Sequence, residues 1–143
     1  MFKAVEKPSG IQIYISATLE DIDGVALETR RFLESNGMSG YAFDVVLVVR
    51  EALTNAVRHG CRLDGSKSIK YDICLETGYL VIRVEDEGDG FDWRKCLERE
   101  PEVTSESGRG LAIMKKYSTD LKYNEKGNQV TLWKSVDREL EDL

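Results

Sequence analysis

Near the start of the chain, Ile11, Ile13 and Ile15 alternate with Gln12, Tyr14 and Ser16. A period of two marks a strand with one buried face. From Leu19 the spacing lengthens: Ile22, Val25, Leu27, Phe32 and Leu33 fall among charged residues in a helical pattern that stops at Asn36-Gly37, where glycine suits a left-handed terminus. A second helix is predicted over 41–59. It opens after Ser39 or Gly40, ends at Gly60, and carries Phe43, Val46, Leu47, Leu53 and Val57 as its apolar face. Residues 63–67 are turn-like. Residues 69–76 and 79–85 read as two strands joined through Thr77-Gly78 as a hairpin. The loop 87–107 has mixed polarity and is long for a compact domain, which points to function or mobility. Residues 111–117 predict a helix entered through Gly108-Arg109-Gly110, and 120–123 and 129–136 predict two closing strands before a polar tail.

Strand, two helices, two strands, loop, helix, two strands: this order favours an α+β fold, a two-layer sandwich of one mixed sheet with helices on one face. The chain of 143 residues suits a single domain, 1–143. Hydrophobic residues at 41% and charged residues at 32% fit a globular protein. Acidic side chains outnumber basic ones, 26 to 20, for a net charge of -6, which argues against direct nucleic-acid binding through clustered Lys and Arg. No apolar run reaches the roughly 20 residues of a membrane span, and the first residues lack the apolar core of a secretory signal. Cys61, Cys74 and Cys96 are too dispersed for a zinc site with the lone His59. Their odd number suits reduced, packed thiols and a cytoplasmic location.

Three motifs carry candidate chemistry. In the first, Glu51, Asn55 and His59 are four apart and share one helical face, while Leu53 and Val57 turn away. The Asn55 amide oxygen is a hard ligand suited to Mg²⁺, and Glu51, one turn earlier, can polarise a hydroxyl or water. The second, Asp86-Glu87-Gly88-Asp89-Gly90, follows an apolar strand. A strand-end carboxylate can accept from an exocyclic amine such as that of adenine, and the glycines allow close backbone approach. It is no EF-hand, since the twelfth position is Leu97 rather than Glu. In the third, Ser107-Gly108-Arg109-Gly110-Leu111, glycines before a helix expose N–H groups at the positive end of its dipole, a phosphate cradle. No Gly-x-x-x-x-Gly-Lys-Ser/Thr is present, which excludes a P-loop. Alone, these are a solvated helix face, an acidic turn and a helix entry. In this order and spacing, on a helix, a strand end and a helix entry, they are much more specific than any one alone.

The three motifs resemble the GHKL ATPase superfamily, which includes gyrase, mismatch-repair and heat-shock chaperone ATPases and the ATP-binding domains of histidine kinases. Glu51-x-x-x-Asn55-Ala56-x-x-His59-Gly60 looks like its asparagine box, and Asp86-x-Gly88-x-Gly90 and Gly108-Arg109-Gly110-Leu111 like its two glycine boxes. The resemblance covers about 11–136 and implies a Bergerat sandwich. Within the superfamily, the Glu51-to-Gly60 string and Gly108-Arg109-Gly110-Leu111-Ala112-Ile113-Met114 are similar to the anti-sigma-factor serine kinase branch.

That resemblance implies an ATP- and Mg²⁺-dependent kinase that holds a sigma factor inactive and phosphorylates a serine on a STAS-type antagonist, working as a homodimer. By position, Glu51 would be the catalytic base, Asn55 the Mg²⁺ ligand and Asp86 the adenine reader. Gly88, Gly90, Gly108, Gly110 and Leu111 would shape the cradle, Arg109 would touch the terminal phosphate or the partner, and residues 91–107 would form the lid. The family's Gly-Thr before the last strand is here Gly127-Asn128-Gln129. That leaves Asn128 or the later Thr131 as the polar group near adenine. A non-catalytic partner-switching module is the alternative. The ATP-binding half of a histidine kinase is disfavoured, since only ten residues precede the first predicted strand.

Overall fold

The computed structural model describes residues 2–7, 9–88 and 106–136. Its sheet has six strands: β1 (Phe2–Lys7), β2 (Gly10–Ser16), β3 (Ser68–Glu76), β4 (Tyr79–Asp86), β5 (Asp120–Tyr123) and β6 (Gln129–Ser135). They lie in the order β1-β2-β3-β4-β6-β5. Among the described residues three α-helices accompany them: α1 (Leu19–Ser35), α2 (Ala42–Asn55) and α3 (Glu106–Tyr117). The fold is α+β, as expected for the Bergerat class.

Alternation along the strands decides the layers. Ile13 and Ile15 of β2, Ile69, Tyr71 and Ile73 of β3, Leu80, Ile82 and Val84 of β4, and Val130 and Leu132 of β6 all join the buried core. They meet Ile22, Val25 and Leu33 of α1, spaced three to eight apart on one helical stripe, and Val45, Val48, Val49, Ala52 and Leu53 of α2. The central helix α2 packs between α1 and α3. Thr29 of α1 and Tyr71 of β3 share a buried hydrogen bond of 2.7 Å that ties the layers together.

The turns follow local chemistry. Gly37 takes φ +70° just past α1, and the β3–β4 hairpin turns on Thr77 and Gly78 with φ of 38° and 83°. Two central residues with positive φ are what a type I′ two-residue hairpin requires.

Four expectations need correction. A strand, β1, precedes the first one expected and pairs antiparallel with β2; its exposed, polar-rich sequence hides the alternation. The sheet is antiparallel at every pairing rather than mixed. The crossover through α3 does return β5 parallel to β4, but β6 inserts between them. Phe43 is 71% exposed, not part of the α2 core face, because the valine-rich run leaves the phase of the helix ambiguous and Val45, Val48 and Val49 take the buried stripe. Finally, the helix predicted over 41–59 is α2 followed by a wider π turn, Ala56–Gly60.

Candidate active site

The three motifs converge at the C-terminal end of α2. Asn55 is its last residue, Asp86 the last residue of β4, and each is only 7% exposed. Polar side chains this buried need partners. Glu51 sits one turn before Asn55, half-buried.

Gly110 joins the third motif to the first. A Cβ placed there would lie 2.9 Å from Glu51 Oε2 and 3.5 Å from both amide atoms of Asn55. The absent side chain lets the α3 backbone approach both groups. Gly60 and Gly88 join the first motif to the second. A Cβ on Gly60 would meet Asp86 Oδ2 at 2.3 Å, and one on Gly88 would meet the Gly60 carbonyl oxygen at 1.8 Å. The π turn delivers Gly60 to this contact, and such turns recur at functional sites.

Asp86 is held at several points. The Gly88 N–H donates to Oδ1 at 2.7 Å. The Asp86 N–H donates to the Asn128 carbonyl at 2.9 Å, and Asn128 Nδ2 donates to the Asp86 carbonyl at 3.1 Å. Burial pushes the carboxyl up to about 6, opposed by the Gly88 hydrogen bond and by the Lys126 and Lys67 ammonium groups. It is therefore ionised at neutral pH and retains lone pairs for a further donor. Glu87 turns back to β3, accepting from the Ser68 N–H at 2.8 Å and from the Ser68 hydroxyl.

Asn55 differs. Its Nδ2 is the buried side-chain polar atom that finds no hydrogen-bond partner among the described residues. An orphaned buried donor costs about 1–3 kcal/mol, a cost that an acceptor from a ligand would remove.

A small cleft of about 10 Å³ lies between α2 and the sheet, lined by Ala52, Asn55, Val84, Asp86, Tyr123 and Asn128 with their neighbours. Tyr123, Gly127, Asn128 and Gln129 bring the β5–β6 turn into it. Of these, the sequence marked only Asn128. Tyr123 was within reach, since in a strand of period two it shares a face with Leu121. A groove of about 480 Å³ between the β1–β2 hairpin and the end of α1 lies away from these groups and carries the mixed charges of Glu6, Lys7, Glu28 and Arg31.

The remaining candidates are placed as follows. Gly108 and Arg109 lie inside α3, which begins at Glu106. The glycines therefore occupy the first turns of the helix rather than preceding it. Leu111 is 2% exposed within the core and does not line the cleft. Thr131 pairs with Arg83 and Lys122, on the face opposite the buried Val130 and Leu132. It points away from the cleft, and the polar group near Asp86 is Asn128. Gly90 and residues 91–105 of the expected lid lie outside the described residues.

Residues 15–134 match the family described as "Histidine kinase-like ATPase domain". The chain belongs to this family. It is 34% identical over 103 residues to the anti-sigma F factor of Clostridium perfringens (strain 13 / Type A), covering 65% of this chain and 71% of that protein. Against the serine-protein kinase RsbW of Bacillus licheniformis it is 31% identical over 118 residues, 72% of each chain. Among family members it thus resembles the anti-sigma kinase branch. No helix among the described residues is long and apolar enough to cross a membrane.

Proposed function

We propose that this protein is an ATP-dependent anti-sigma factor and protein serine kinase acting on a STAS-type antagonist of that role. One observation carries the reading: Glu51 and the orphaned amide of Asn55 meet the side-chain-free surface of Gly110 in a buried corner. Relatives named anti-sigma F factor and serine-protein kinase RsbW support the partner class.

The donor set suits a magnesium nucleotide. Among the described residues no group of three or more His, Cys, Asp or Glu gathers to hold a metal. Mg²⁺ would instead take one protein ligand, Asn55 Oδ1, and complete its shell from phosphates and water. Mg-ATP supplies, when bound, a transferable phosphoryl group with its charge partly neutralised. Asn55 Nδ2 then donates to a phosphate oxygen and ceases to be an orphan. The first turn of α3, with Gly108, offers free N–H groups and the positive dipole end to the phosphates, and Gly110 lets the helix approach them closely. Arg109 adds a guanidinium fork. Asp86 accepts from the exocyclic amine of adenine. Glu51 accepts the proton of the substrate serine Oγ as that oxygen attacks. The protein's work is positioning and charge placement.

The test is labelled ATP with purified protein and a serine-bearing STAS domain. Transfer to that serine is expected, and it should vanish in Glu51→Ala while nucleotide binding persists. A stable nucleotide-dependent complex with no transfer by the wild type would leave a non-catalytic partner-switching module instead.

A further inference from the structure

We infer that Asn128, oriented by Asn124, is the positioning residue that sets this site's preference for a base with an exocyclic amine. This deepens the nucleotide reading above and rests on it.

The last rung of the β4–β6 ladder pairs Glu85 with Gln129, so Asp86 lies just beyond it, where strand ends fray. Asp86 is paired with Ile69 on its β3 side, and on the β6 side Asn128 closes the gap. Its carbonyl takes the Asp86 N–H at 2.9 Å and its Nδ2 holds the Asp86 carbonyl at 3.1 Å. Both polar groups of the Asp86 backbone are thus clamped by one residue.

The amide orientations follow from the donors. Asn124 Oδ1 accepts the backbone N–H groups of Gly127, Asn128 and Gln129 at 2.8, 3.0 and 3.2 Å. Backbone N–H groups can only donate, so this atom must be oxygen. Asn124 Nδ2 is then the donor to Asn128 Oδ1, at 2.7 Å. That leaves Asn128 Nδ2 facing Asp86. The relay runs from the β5–β6 turn to the Asp86 backbone carbonyl without a free choice, and so positions the residue that carries the carboxylate. It engages the Asn128 amide at both ends and pins the Asp86 backbone, and it is through Asp86 that Asn128 acts on the base. A threonine hydroxyl at this position can also accept and donate, but only through one oxygen, whereas the Asn128 amide spans from Asn124 to Asp86 with two separate atoms.

Calorimetry should compare ATP with purine riboside triphosphate, which lacks the amine, on wild type, Asn128→Ala, Asn128→Thr and Asp86→Asn. A ratio of affinities is insensitive to the fraction of each variant that is folded. Wild type should favour ATP about tenfold or more, the scale of one hydrogen bond to a charged group. Asp86→Asn should lose that preference, since Gly88 claims its oxygen and the amide nitrogen then faces the amine. Asn128→Ala should lose most of it, and Asn128→Thr should retain more than alanine. If Asn128→Ala weakens both nucleotides equally while Asp86→Asn still abolishes the preference, Asn128 is a stability contact only and the inference falls. If wild type binds neither nucleotide or does not discriminate, the nucleotide reading falls and takes the inference with it.

Discussion

Asp86 must stay ionised where water is scarce, and that tension is measurable. Burial raises its folded-state pKa from 3.8 to about 6. The folded protein therefore binds this proton more tightly than the unfolded chain does. The resulting contribution to stability is full below about pH 4 and is lost as pH rises through about 6. The proposed ATP recognition by Asp86 requires the opposite state, a carboxylate acceptor. Acidification from pH 7 to 5 should thus weaken ATP binding, approaching about tenfold per pH unit below the pKa, while this group's contribution favours the ligand-free fold. Titration calorimetry and thermal melts across that range, with Asp86→Asn as the flat control, separate the two effects. Asn55 offers a second division between stability and function. Asn55→Ala should abolish Mg²⁺-dependent ATP binding yet leave the ligand-free protein no less stable, because the orphaned amide and its cost of about 1–3 kcal/mol disappear with it. Glu51→Gln should lower phosphoryl transfer by about 10²–10⁴-fold, the range for a general base, with little change in nucleotide affinity.

Among elements, contacts between segments matter more than the segments themselves. Gly88 and Gly110 illustrate two kinds of glycine. At Gly88 a Cβ would lie 1.8 Å from a backbone oxygen of the π turn, which cannot move away alone. Gly88→Ala should cost roughly 1–3 kcal/mol or more in denaturant unfolding. At Gly110 the neighbours are the ends of Glu51 and Asn55 side chains. Gly110→Ala should leave the melting temperature nearly unchanged and weaken ATP binding and transfer, since the groups that yield are those of the site. Secondary structure was legible where the apolar period was clean, as in Ile11-Ile13-Ile15, or where a short apolar run was bounded by turn residues, as in the 79–85 strand. It was misread where several phases were equally apolar, as at Phe43, or where the strand sat on an exposed edge, as in β1.

For the whole molecule, α2 is the organising piece: its buried side holds the core together and its C-terminal end brings Glu51 and Asn55 to the end of the interior strand β4 and to α3. Ligand binding at that junction should couple to global stability. Nucleotide at a hundred times its dissociation constant should stabilise the wild type by about 2.7 kcal/mol. A thermal-shift series should find this shift absent in Asn55→Ala.

Sequence alone determined the chemistry of the candidate site and its order along the chain, because residue type and helical or strand period are local properties. Glu51 and Asn55 share a face through four-residue spacing, and Asp86 ends a strand because its apolar alternation stops there. Only the tertiary structure decided which side of the last strand meets the cleft, excluding Thr131 and admitting Asn128, and that Gly60, Gly88 and Gly110 are points of backbone contact. Those outcomes depend on which strand inserts beside β4 and on how closely three separate segments approach, and packing of the whole chain fixes both.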